Sequence, residues 1–186
     1  MKDIRIFIAS SRELVAERNA LSCIVLSHED EFAARGFRVR LSKWEYVSSH
    51  VTKEPTESRY LADMRNCDAT VVLFKNVIRP YTRQEMEETI RSEQAGDSRL
   101  KAHRILFCAG ADAAPEPELV ALRQSLSPDA YGTFSGRVGL EKAFLALVDR
   151  LAKEPDRLKD LPPAKGVRVV TALFAADDEL AADRDA

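Results

Sequence analysis

Five side chains have types and positions that could serve chemistry: Ser10 and Ser11, Lys75, Tyr81 and Glu85. The stretch from Ala69 to Phe74 (ATVVLF) is short, apolar and β-branched, which predicts a strand buried on both faces. After a loop carrying Lys75, Arg79, Pro80 and Tyr81, the segment RQEMEETI predicts a helix beginning at Thr82. The Thr82 hydroxyl would accept the backbone N–H of Glu85 while Glu85 reaches back to Thr82, a capping box. A single carboxylate is thus delivered to the rim of a buried sheet. Spacing leaves two readings of Glu85 open, a helix cap or a reacting group. Ser10 and Ser11 likewise read either as N-caps or as part of a ligand crevice.

Other chemistries find little support in the sequence. There is no CxxC or HExxH pattern, and His28, His50 and His103 stand apart, so no metal site is expected. Cys23, Cys67 and Cys108 are odd in number and widely spaced, which predicts reduced thiols in a cytoplasmic protein. With 28 Lys+Arg against 30 Asp+Glu, the charge gives no case for nucleic acid or an anionic membrane as partner. No apolar run approaches the roughly 20 residues of a membrane span, and Met1-Lys2-Asp3 leads directly into a strand, so no leader peptide is expected.

Positioning these residues requires a sheet. Ile4 to Ala9 (IRIFIA) predicts the first strand, and the apolar positions from Leu14 to Phe32 predict one amphipathic helix ended by Gly36. Phe37, Val39 and Leu41 alternate with polar residues, predicting a strand near a sheet edge. Lys43 to Glu54 reads as a long loop with Trp44 and Tyr46, and Pro55 to Arg65 as a helix. His103 to Ala109 predicts a strand, Glu118 to Leu126 a helix, Ala130 to Phe134 a strand and Val138 to Lys153 a helix. Strand and helix alternate five times, so the fold class is α/β: three layers around a five-stranded, mostly parallel sheet. The simplest topology is the flavodoxin-like order 2-1-3-4-5.

In that order ligands bind between strands 1 and 3, at their C-terminal ends. The end of strand 1 (Ala9, Ser10, Ser11), Lys75, Tyr81 and Glu85 then converge on one crevice, with two helix N-termini aimed there as phosphates would require. Trp44 borders the same crevice. Arg18 interrupts the apolar stripe between Leu14 and Leu21 and is expected to form an ion pair inside the domain, while Glu87 and Glu88 are expected on the solvated side of their helix. Residues 1–153 form the expected domain. Glu154 to Gly166, charged and with three prolines, reads as a linker. Val167 to Ala186 partly repeats the first strand and helix: either the head of a truncated second domain or a tail that packs on the first.

The ordered set IRIFIASSRELVAERNAL, the WE after strand 2, NCDATVVLF and PYTRQEM resembles bacterial TIR-like domains, relatives of the Toll/interleukin-1 receptor fold, over roughly Lys2 to Lys153. Enzymatic members of that family cleave NAD+ between nicotinamide and ribose and carry an aromatic residue four positions before a catalytic glutamate. Tyr81 and Glu85 match that spacing, with tyrosine where tryptophan is commoner. The loop after strand 2 lacks the Arg…Pro-Gly pattern of many receptor-type members. The resemblance implies a cytoplasmic NAD+ hydrolase module of antiviral defence or signalling. It implies Glu85 as the catalytic carboxylate, the end of strand 1 within the nucleotide site, NAD+ or a related nucleotide as substrate, no cofactor, and self-association. Two other classes remain: a non-enzymatic TIR-like interaction module and a nucleoside deoxyribosyltransferase-like enzyme.

Overall fold

The computed structural model describes residues 1–43, 56–95, 102–110 and 113–153. Five strands, β1 (Lys2–Ser10), β2 (Phe37–Lys43), β3 (Ala69–Phe74), β4 (Ala102–Cys108) and β5 (Tyr131–Phe134), form one sheet in the order 2-1-3-4-5. Every neighbouring pair is parallel, so the sheet is all-parallel, with β2 at the expected edge. A 3-10 turn (Arg12–Leu14), α1 (Val15–Ser27) and α2 (Glu29–Ala34) join β1 to β2. Helix α3 (Thr56–Arg65) precedes β3, and α4 (Pro80–Ala95) leads towards β4. Helix α5 (Pro117–Ser125) and a second 3-10 turn (Pro128–Ala130) lead into β5, and α6 (Gly136–Lys153) follows it.

The strands are apolar on both faces because both faces are covered. Ile4, Ile6 and Ile8 of β1 point with Val71 and Leu73 into a core shared with Leu21 and Ile24 of α1 and Phe144 and Val148 of α6. Phe7 and Ala9, one residue out of phase, point with Val72 and Phe74 to the other face, against Met64 of α3, Met86 of α4 and Leu119 of α5. This two-sided alternation is what a parallel sheet with helices on both faces demands. A buried acid fixes the register where β1 meets the approach to β3. The Asp68 carboxylate accepts the Arg5 N–H at 2.8 Å, and the Asp68 N–H donates to the Arg5 carbonyl at 2.7 Å.

The expected single helix after β1 is interrupted. It opens as a 3-10 turn and breaks at His28, whose backbone leaves helical geometry (φ -107°, ψ 8°). The break turns α2 so that Phe32 stacks on Phe37 with ring centroids 5.2 Å apart, and His28 reaches Glu141 of α6 at 3.0 Å. Gly36 ends α2 at φ 85°, a left-handed value that favours glycine, as its place after the helical pattern predicts. Trp44, the 154–166 linker and the 167–186 repeat lie outside the described residues. Among the described residues no helix is long and apolar enough to cross a membrane, and no group of three or more His, Cys, Asp or Glu gathers as metal ligands would.

Candidate active site

The sheet order reverses direction between β1 and β3, and there the crossovers diverge to opposite faces, the place where sheets of this order form a ligand crevice at the C-terminal strand ends. Ser10 is in register with Leu73, so the Ser10–Ser11 end of β1 lies beside Phe74 and Lys75 at the end of β3. Both serines are buried. Neither hydroxyl caps the helix that follows: Ser11, at the N-cap, makes no side-chain cap bond and donates instead to Glu13 Oε1 at 3.2 Å. The Ser10 hydroxyl accepts from Arg18 Nη1 at 2.7 Å, and the same nitrogen donates to the Ser11 carbonyl at 2.8 Å. Arg18 is fully buried, so its guanidinium holds the end of β1 from beneath. The charged residue that interrupts the apolar stripe of α1 is the fastening of the strand end.

Two acids of the same segment reach the loop after β3. Glu13 Oε1 accepts the backbone N–H groups of Asn76 and Val77, both at 3.0 Å. Glu17 Oε1 lies 3.9 Å from the Lys75 ammonium, and both side chains are largely shielded from solvent. The β3 loop is also tied to the next crossover, where the Glu116 N–H donates to the Asn76 carbonyl at 2.7 Å. Helical spacing flags Arg18, a cation on the apolar stripe between Leu14 and Leu21. Glu13 carries no such signal, because an acid in the first turn of a helix is ordinary.

Helix α4 starts earlier than the capping-box reading requires, and that reading is corrected. Pro80 is its first residue and Arg79 accepts the N–H of Arg83 at 3.0 Å, so Thr82 is already helical and buried. Proline suits that first position because its missing N–H would have had no helical partner. Glu85 therefore stands in the second turn and is not a cap. Its carboxyl is pushed up to about 8, chiefly by burial, with the Arg18 cation pulling in the opposite direction. The residue as a whole is only half-buried, yet its charged end is crowded enough by protein for that shift. Arg18 therefore links the two sides of the crevice: it binds the end of β1 directly and acts on Glu85 through its charge.

The predicted site residues sort accordingly. Ser10, Ser11 and Lys75 lie at adjacent strand ends, and Glu85 is within the electrostatic reach of Arg18, which holds the two serines. Tyr81, in the first turn of α4, is 65% exposed and does not pack beneath the loop, which leaves its ring open to a ligand. Ala9 is 1% exposed with its methyl in the core, so only its backbone could face a ligand. Glu88 does not face solvent as a simple dipole partner. It accepts hydrogen bonds from Arg65 of α3 at 2.7 Å and from Arg91 and Ser92 of its own helix, joining α3 to α4.

No protein-family model matches the chain, and comparison with curated proteins found no match. Among solved structures, the chain is similar to the crystal structure of the flavodiiron protein from Giardia intestinalis, with a TM-score of 0.41 and 17% identity. The match covers 82% of this chain and 36% of that one, and a likeness this distant carries no argument about the site.

Proposed function

We propose that the protein is a TIR-like NAD+ hydrolase in which Glu85 is the catalytic carboxylate. What supports this reading is a carboxyl raised to about 8 by burial and within the electrostatic reach of Arg18, the side chain that fastens the end of β1 at the switch point of a 2-1-3-4-5 sheet. Its chemistry suits the bond. Nicotinamide in NAD+ is joined to ribose as a cationic pyridinium and departs as a neutral base, so no general acid is required. One carboxylate next to the anomeric carbon stabilises the oxocarbenium-like transition state, whereas an ordinary glycosidase needs a second carboxyl to protonate its leaving group. Water then supplies the hydroxyl, giving nicotinamide, ADP-ribose and a proton.

A carboxyl that is neutral at pH 7 in the free protein has to ionise to do this. The substrate itself provides the means. A pyridinium about 4 Å from Glu85, at an effective dielectric of about 20, favours the carboxylate by roughly 4 kcal/mol, or about 3 pKa units. That suffices to bring a group at about 8 below neutrality. The site thus acquires its charge when the oxidised, cationic nucleotide arrives, and the reduced form, whose ring is uncharged, leaves Glu85 protonated. On the resemblance to TIR-like domains, the module would act in bacterial defence or signalling and self-associate.

Incubating the protein with NAD+ and resolving the products tests the reading. Nicotinamide and ADP-ribose in equal amounts are expected, with no free base from deoxynucleosides. Base release from deoxynucleosides but not from NAD+ would transfer the site to a nucleoside deoxyribosyltransferase-like enzyme. Concentration-dependent self-association with no nucleotide binding would replace the enzyme by an interaction module.

A further inference from the structure

We propose that Glu13 is a positioning residue for Glu85, locking the loop between β3 and α4 to the end of β1. The inference rests on the reading of Glu85 above, and it stands on the geometry of the loop. Five residues, Lys75 to Arg79, separate the last residue of β3 from the first of α4. They form no regular structure, so their course decides where α4 begins and hence where Glu85 stands. Several contacts hold them. Ile78 is buried in the core beside Phe74 and Met86, the Asn76 carbonyl accepts from Glu116, the Lys75 ammonium lies 3.9 Å from Glu17 Oε1, and the Asn76 and Val77 N–H groups converge on Glu13 Oε1.

Two of these come from the segment that follows β1, and the Glu13 contact is the shorter, at 3.0 Å against 3.9 Å for Glu17. One carboxylate oxygen takes two successive backbone N–H groups at 3.0 Å and the Ser11 hydroxyl at 3.2 Å. Hydrogen bonds to an ionised acceptor are about twice as strong as neutral ones, so this is a firm connection between the two walls of the crevice. Glu13 follows Ser11 by two residues, so the segment carrying the serine end of β1 also grips the loop that leads into the helix of Glu85. Removing it frees two amides and lets the loop drift relative to β1. A displacement of about 1 Å at a reacting group is enough to lower a rate by about 100-fold. These three donors all engage Glu13 Oε1, and Glu13 touches no reacting atom in this account.

The test compares Glu13→Ala with Glu13→Gln, whose amide oxygen can accept the same N–H groups. For nicotinamide release, Glu13→Ala is expected to lower kcat by about 10–100-fold with KM changed by less than about 3-fold, and Glu13→Gln to recover kcat to within about 5-fold. The pH midpoint carried by Glu85 should move in the alanine variant and return in the glutamine variant. Exchange of the Asn76 and Val77 amides should accelerate by about 10-fold or more in Glu13→Ala. Faster exchange with kcat and pH midpoint unchanged would overturn the proposal, leaving Glu13 a merely structural acid. If Glu13→Ala does not fold, Glu13→Asp, one methylene shorter, is expected to show the same losses, and wild-type behaviour in it would also overturn the proposal. Should the wild-type protein release no nicotinamide, the reading of Glu85 falls separately. The clamp is then judged by amide exchange and by NMR titration of the Glu85 carboxyl: movement in Glu13→Ala reversed in Glu13→Gln supports it, and no movement refutes it.

Discussion

The ionisation of Glu85 can be read from stability without any ligand. In the unfolded chain the carboxyl titrates at its ordinary value of 4.5; in the fold, burial raises it to about 8, the Arg18 charge opposing. The folded state therefore holds the proton more tightly, and stability falls as pH rises between those two values, by about 1.4 kcal/mol per pH unit. Over the full interval this amounts to roughly 5 kcal/mol, which relaxation and water entry at a half-buried group reduce to on the order of 2–4 kcal/mol. Glu85→Gln replaces the protonated acid by a neutral side chain of nearly the same shape and removes the penalty. The variant should match the wild type at about pH 4.5 and exceed it at about pH 9, by roughly 5–15 °C in Tm for a chain of this size. Every other titration is common to both proteins and cancels in the difference. Thermal unfolding of the pair across that range reads the effect. Parallel Tm curves, or a variant that loses stability relative to the wild type as pH rises, would refute the placement of this carboxyl in a poorly solvated site.

Other expectations follow from the same side chains. NAD+ binding should release close to one proton at neutral pH while NADH releases none, measured by calorimetry in buffers of different ionisation enthalpy; equal proton release with both nucleotides would remove the charge argument. Hydrogen bonds from Arg91 first, and then from Arg65 and Ser92, hold the Glu88 carboxyl at about 2 against burial, which raises it. Its contribution is present above 4.5 and is lost as pH falls through about 2, so Glu88→Gln should cost about 1–2 kcal/mol at neutral pH, after allowing for half-exposed arginines, and little in strong acid. Urea unfolding at both extremes tests this, and a pH-independent difference would contradict it. His28 is raised above 6.5 by its hydrogen bonds to Glu141 and Glu31, so it stabilises the fold below that value and the benefit disappears as pH rises through its folded pKa. Glu141→Gln should bring the ring back towards 6.5 by NMR titration, and an unmoved midpoint would dismiss the contact.

The sheet was legible because its causes are local and repeated. The run ATVVLF has no polar face, and β3 is buried along its whole length. FRVRLS has one wetter face, and β2 lies at an edge. Strand–helix alternation with right-handed crossovers then leaves little choice of order. The meeting of Ser10, Ser11 and Lys75 followed from that order and not from any motif. What escaped the sequence was decided by competition between partners distant along the chain. Thr82 and Glu85 have the spacing of a capping box, but Pro80 starts the helix two residues earlier and draws Thr82 inside it. The pattern from Leu14 to Phe32 is helical throughout, yet contacts of His28 with α6 and of Phe32 with β2 break it. Ser11 has a helix-capping side chain, but Glu13 takes its hydroxyl. Glu13 itself reads as an ordinary first-turn acid until the loop after β3, more than 60 residues later, presents two amides to it.

The most direct measurement is the rate of nicotinamide release from NAD+ by the wild-type protein and by Glu85→Ala, with the fold of each verified by thermal unfolding. If Glu85 supplies the charge that stabilises the departing bond's transition state, the substitution lowers kcat by about 100-fold or more while the protein remains folded. Nicotinamide release that survives Glu85→Ala at a comparable rate would contradict the account and place the chemistry elsewhere in the chain.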